Sequence, residues 1–145
     1  MGKINIENQE IELRLKGIEI LESFQSLPEN KNLNLTNFSF NLSIDNRSES
    51  GSRIIFVLID VKILTPDQSI LLGGLKVNCI FEISNFDNVI NSNSEGPNMI
   101  PKHVIEILNS ISISTTRGIL FSTYRGTFLH NAILPIIDPK DFTPK

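Results

Sequence analysis

The chain has 145 residues, 40% hydrophobic and 20% charged, a globular composition with room for one hydrophobic core, which excludes a disordered polymer. A net charge of −3 weighs against nucleic acid as the main partner. The single cysteine, Cys79, excludes a disulfide framework, and no apolar run is long enough to insert into a bilayer.

The N-terminus, MGKINIENQE, has no apolar core of a signal peptide, and Ile6 stands where a myristoylation signal needs Ser or Thr. The chain is therefore expected to be soluble and cytoplasmic, and residues 1–9 to be flexible. Ile11, Leu13 and Leu15 alternate with Glu12, Arg14 and Lys16 as in a half-buried strand. At Gly17 the phase changes, and Ile18 and Ile20 continue with the other parity. That shift beside a glycine predicts a β-bulge inside one long strand over residues 10–25. A Pro- and Asn-rich connection follows from Leu27 to Asn32.

Phe38, Phe40, Leu42 and Ile44 alternate with Ser39, Asn41, Ser43 and Asp45, the cleanest period of two in the chain. After a polar loop, Arg53 to Leu64 carries Ile55, Val57, Ile59, Val61 and Ile63 on one face and Phe56 and Leu58 on the other. A strand apolar on both faces is central and covered twice, or covered once and used for binding. Pro66 suits the first central position of a tight turn over Thr65 to Ser69. The fourth strand runs from Ile70 to Phe86, with Cys79 in its apolar row as a buried, inert thiol and Gly73-Gly74 as a bulge or twist point. Short connections predict a meander-like antiparallel sheet over residues 10–86.

The Asn-, Ser- and Gly-rich stretch from Asn88 to Asn98 is a loop within one domain. Pro101 suits the first turn of a helix, and Val104, Ile107, Leu108 and Ile111 fall at helical spacing. The β-branched run Ile111 to Thr116 weakens helix propensity, but a covering layer for the sheet is needed. Residues 99–130 are thus expected to be helical and residues 131–145 an extended tail. A helix apolar nearly all round asks for cover beyond its own sheet, which a second subunit supplies.

His103 and His130 sit in no metal-binding pattern, and no nucleophile elbow or phosphate loop occurs. No catalytic residue, metal or cofactor is expected. Glu19 and Glu22 read as surface charges, while Arg117 and Arg125 lie inside an apolar segment and are expected to snorkel or to pair with an acidic residue. What remains is apolar surface. Most of the phenylalanines must be core, and part of them can line an open groove for extended polypeptide.

Three places carry a resemblance. Ile80-Phe81-Glu82-Ile83 ends the fourth strand, Arg125-Gly126-Thr127-Phe128 lies near the end of the helical segment, and Leu134-Pro135 follows, with Ile136, Ile137 and Phe142 beyond it. In order and spacing these words resemble SecB, the export chaperone, and its SecB-like relatives, as does Thr116-Arg117-Gly118. The resemblance implies an α+β fold, a four-stranded antiparallel sheet covered by a long C-terminal helix, assembled as a dimer or tetramer. It implies an ATP-independent holdase that keeps unfolded precursor polypeptides in apolar grooves and passes them to SecA. The binding set would be Phe38, Phe40, Leu42, Phe56, Leu58, Phe86 and Ile136. The oligomer interface would hold Val104, Ile107, Leu108, Ile111, Arg117 and Gly118, and Glu19 and Glu22 would face SecA. Two departures weigh against SecA. The sequence stops at Lys145, where the family adds a second helix, and Gly74 stands where the family places an acidic residue. An interaction protein dedicated to one partner, such as an antitoxin, is the alternative. A small-ligand carrier or enzyme is disfavoured by the lack of convergent titratable residues.

Overall fold

The computed structural model describes residues 2–6, 9–29, 37–48, 52–84 and 100–142. Five strands precede a helix: β1 (Gly2–Ile6), β2 (Gln9–Gln25), β3 (Ser39–Ser48), β4 (Ile54–Leu64), β5 (Leu71–Ile83) and α1 (Lys102–Thr123), with a 3-10 turn at Pro139–Phe142. The strands form one antiparallel sheet in the order β1-β2-β5-β4-β3.

The four expected strands are present, with two corrections. Gly2–Ile6, in the segment expected to be flexible, is a fifth strand that folds back on β2 and sets Ile4 opposite Ile11. The sheet is also not a meander throughout. β3, β4 and β5 are consecutive neighbours, but β2 passes over them and pairs with β5, which makes a Greek key. Burial explains the order. β4 and β5 bury a continuous apolar row on the inner face and are half-buried on the outer one, and take the middle, whereas β3 exposes Asn41, Ser43, Asp45 and Arg47 and takes an edge.

The bulge expected at Gly17 is there. Leu15 pairs with Phe81 and Gly17 with Ile80, so Lys16 is the extra residue. A second irregularity follows, with Ile20 opposite Val77 and Glu22 opposite Lys76, so Leu21 is extra. Each shift flips the alternation by one. As a result Leu13, Leu15, Ile18 and Ile20 share the face of the sheet that looks toward α1, while Glu19 and Glu22 share the outer face.

On the inner face Ile55, Val57, Ile59, Val61 and Ile63 of β4 are fully buried, together with Leu75, Val77, Cys79, Phe81 and Ile83 of β5. Val104, Leu108, Ile113 and Leu120 of α1 close this core, with Tyr124, Leu129, Ala132 and Leu134 beyond the helix. Pro101 stands at the helix N-cap, and its carbonyl accepts from the N–H groups of Val104 and Ile105 at 3.0 and 3.2 Å. Thr115 and Thr116 donate their hydroxyls to the carbonyls of Ile111 and Ser112 at 2.8 and 2.7 Å, which spares those hydroxyls an unpaired burial. The helix stops at Thr123, short of the expected residue 130, and turns at Gly126 in the left-handed region, φ +81°.

Nor is α1 apolar all round. Its sheet-facing side includes buried Asn109, Ser112 and Thr116, and Asn46 of β3 donates its amide to Asn109 Oδ1 at 2.7 Å. The opposite side exposes Ser110, Ser114 and Gly118. The need for a second helix, inferred from the apolar pattern, therefore falls away.

Candidate polypeptide-binding surface

The phenylalanines expected to form one groove lie on both faces of the sheet. Phe40 pairs with Ile63 and Leu42 with Val61, so both look inward; with Phe38 they pack half-buried against the core. Phe56 pairs with Ile80 across to β5 and Leu58 with Asn78, so both look outward. Phe86 lies outside the described residues. A single groove cannot take all of these side chains, because adjacent positions of a strand point to opposite faces.

The inward pair has company that the sequence did not announce. Phe38 and Phe40 line a cleft of about 270 Å³ together with Asn37, Asn131, Ile133 and Pro135. The lining carries no charge. Its far wall is the segment after α1, where Ala132 and Leu134 turn into the core and Ile133 turns out. Arg117 holds that segment, with Nε donating to the Leu134 carbonyl and Nη2 to the Pro135 carbonyl, each at 2.8 Å. Next to it Ile136 is 95% exposed. Of the expected binding set, the structure brings Phe38 and Phe40 to one cleft, runs Leu42 on from them along β3, and leaves Ile136 past the opposite wall.

Tyr124 fixes the other end of this layer. Its hydroxyl accepts from the Gly74 N–H at 3.2 Å and has the carbonyls of Gly74 and Phe24 within 2.6 and 2.7 Å for its own proton. Burial pushes the phenol above its ordinary pKa, against the opposing pull of the backbone hydrogen bonds. Gly73 makes this approach possible: a Cβ there would lie 2.7 Å from Leu129 Cδ1 and 2.9 Å from the Phe24 carbonyl.

The outer face has a different chemistry. Opposite charges meet there: Lys16 and Glu82 across β2 and β5 at 3.5 Å, Asp60 and Lys76 across β4 and β5 at 3.9 Å, and Asp60 and Lys62 along β4 at 3.4 Å. Lys62 also sits 5.3 Å above the Phe24 ring. Leu58 borders a depression of about 170 Å³ among Ser43, Asp45, Arg47, Asp60 and Lys76. Glu19 accepts a hydrogen bond from Asn78 Nδ2 at 3.2 Å, and Glu22 lies opposite Lys76. Gly74 is buried, with a Cβ position only 2.5 Å from the Phe24 ring, so this place in the fold has no room for a docking carboxylate.

The expected interface residues scatter as well. The chain's own sheet, not a second subunit, covers Val104 and Leu108. Ile107 and Ile111 pack half-buried on the flank of the core, Arg117 is committed to the tail, and Gly118 is exposed. Among the described residues an uncovered apolar row lies elsewhere, on the inner face of β2. Burial is nearly complete at Leu13 and then lapses, leaving Leu15, Ile18 and Ile20 at 41, 45 and 55% exposed. Alternation together with the bulge at Gly17 places these residues on one face but does not show that burial lapses beyond Leu13.

Cys79 is buried, and burial raises its thiol pKa, as an inert core cysteine requires. Among the described residues no cluster of His, Cys, Asp or Glu has the makings of a metal site, and no helix is long and apolar enough to cross a membrane.

No family model matches the sequence, and no curated protein matches it. Solved structures do. The SecB-like chaperone of Mycobacterium tuberculosis, solved with a ChAD peptide from the HigA1 antitoxin, superposes with a TM-score of 0.54 at 9% identity, covering 86% of this chain and 83% of that one. A protein of unknown function from Streptococcus agalactiae aligns at a TM-score of 0.40 and 11% identity, over 79% of this chain and 89% of that one. The first likeness establishes that this chain has the fold of a SecB-like chaperone.

Proposed function

We propose that this chain is a SecB-like chaperone that holds extended polypeptide against the cleft at Phe38 and Phe40, without ATP. The observation that carries the proposal is the uncharged cleft between β3 and the Ile133–Pro135 wall, with exposed Ile136 beside it, on a fold shared with a SecB-like chaperone. Each client side chain buried there contributes about 1.5–3 kcal/mol before ordering costs, so several weak contacts suffice and many sequences qualify. A homo-oligomer, dimer or tetramer, fits the same proposal, with the Leu15, Ile18 and Ile20 row as the surface to be covered.

Aggregation of α-lactalbumin unfolded by reduction with dithiothreitol, followed by light scattering in the absence of nucleotide, tests the proposal. The chain should suppress it, and Ile136→Asp, which touches no core, should weaken suppression with the fold intact. Failure of the unaltered chain to slow aggregation of this or any other unfolded probe rejects the proposal.

A second reading is favoured by the antitoxin peptide in the similar structure: one dedicated partner instead of many clients. Pull-downs separate the two, since a single dominant partner selects the second and a broad set of unfolded chains the first. Delivery to SecA is left out of the proposal, because Gly74 is buried under Phe24 where the family would place a docking acid.

A further inference from the structure

Two arginines lie in the C-terminal part of the apolar segment. Arg125 is exposed in the turn after α1. Arg117 is half-buried, and its guanidinium is spent on two consecutive main-chain carbonyls, Leu134 and Pro135, at 2.8 Å each. An aliphatic residue would have served to cover the helix there. A planar fork of N–H donors serves a different end: it fixes two adjacent peptide units of a segment that has no secondary structure of its own.

That segment is held from inside by Ala132 and Leu134, which are buried, and from outside, among the described residues, by Arg117. Between these anchors stand Ile133 and Pro135, two of the six residues lining the cleft. We infer that Arg117 is a positioning residue for polypeptide binding. It holds the Ile133–Ile136 segment as a fixed wall, so that a client side chain entering between Phe38 and Phe40 meets a preformed surface instead of ordering one. The inference rests on the polypeptide-binding proposal above and adds the group that shapes its cleft.

The probe is a short fluorescein-labelled peptide alternating Phe and Ser, read by anisotropy, with backbone nitrogen-15 order parameters from NMR relaxation as a second readout. In Arg117→Ala, the order parameters of Ile133, Ile136 and Ile137 should fall while those of β4 stay high. Affinity for the peptide should fall about tenfold. In an Ile133→Ala background, where the wall has lost its side chain, the same Arg117 change should cost little. Arg117→Lys keeps the charge but loses the fork, so its affinity should lie between the two; it carries the test if Arg117→Ala does not fold.

Unchanged order parameters over Ile133 to Ile137 overturn the inference. So does an equal affinity loss in both backgrounds, which would mark a general weakening of the fold. If the unaltered chain does not bind the peptide, the polypeptide-binding proposal fails and takes the inference with it. If the unaltered chain binds, Ile133→Ala weakens binding and Arg117→Ala does not, the inference alone fails.

Discussion

Asp67 gathers three hydrogen bonds on one carboxylate oxygen in the turn between β4 and β5: from the Thr65 hydroxyl at 2.6 Å, the Ser69 hydroxyl at 2.7 Å and the Ser69 N–H at 3.1 Å. These donors, the Thr65 hydroxyl first, favour the charged form and lower the pKa from 3.8 to about 2. The folded pKa is depressed, so the group contributes stability above pH 3.8 and loses it as pH falls toward about 2. Ser69→Ala should move the Asp67 midpoint back toward 3.8 in an NMR titration, and Asp67→Asn should flatten the acid side of the stability profile; an unmoved midpoint would discount the Ser69 hydroxyl as a donor. One residue on, Gln68 sits at φ +64°, a left-handed conformation that suits glycine. Gln68→Gly should therefore raise stability by up to about 1 kcal/mol, visible as a higher urea midpoint, the steric relief outweighing the added chain entropy.

At the scale of elements, α1 is tied to the sheet at its end by Tyr124 and along its length by Val104, Leu108, Ile113 and Leu120. Tyr124→Phe leaves the Gly74 N–H and the carbonyls of Gly74 and Phe24 buried without their shared partner, and should cost about 1–3 kcal/mol in denaturant unfolding. Gly73→Ala should cost more than Gly74→Ala, because its Cβ meets the Phe24 main chain as well as Leu129, whereas the nearest atoms to a Cβ at Gly74 belong to the Phe24 ring. The reverse order in measured stabilities would mean that the sheet, not the ring, gives way.

The elements themselves were largely legible in the sequence, since alternation marks β2 to β5 and the phase change at Gly17 marks a bulge. The second bulge was not, because Leu21 is neither Gly nor Pro and its phase change hides among charged residues. β1 was missed because a short strand is defined by its partner, here Gln9–Leu13 of β2. The binding surface was legible only in part. Phe38 and Phe40 stand out by periodicity, but the wall opposite them depends on Arg117 reaching across 17 residues of chain to Leu134. No local pattern encodes such a contact, nor shows that Phe40 and Phe56 end up on opposite faces of the sheet.

For the whole molecule the open question is what covers β2. Leu15, Ile18 and Ile20 form an apolar row on the inner face of β2, beyond the part of that strand that the core covers. If this row is the contact between copies, Ile18→Lys combined with Ile20→Lys should lower the mass seen by light scattering to that of a single chain, with the circular dichroism spectrum unchanged. A clean monomer before substitution would instead leave the row free for clients.

The strand order also bears on how the molecule is made. β2 is translated early, yet its ladder partner, β5, is complete only at Ile83. At about 5–20 residues per second, β2 must wait on the order of several seconds on the ribosome with only the short β1 hairpin along one end. During that interval it is itself an unfolded, apolar, extended segment, the kind of chain that this protein is proposed to hold. If the chain holds extended polypeptide as proposed, nascent β2 is a client of the copies already made, and newly made copies compete with other clients for them.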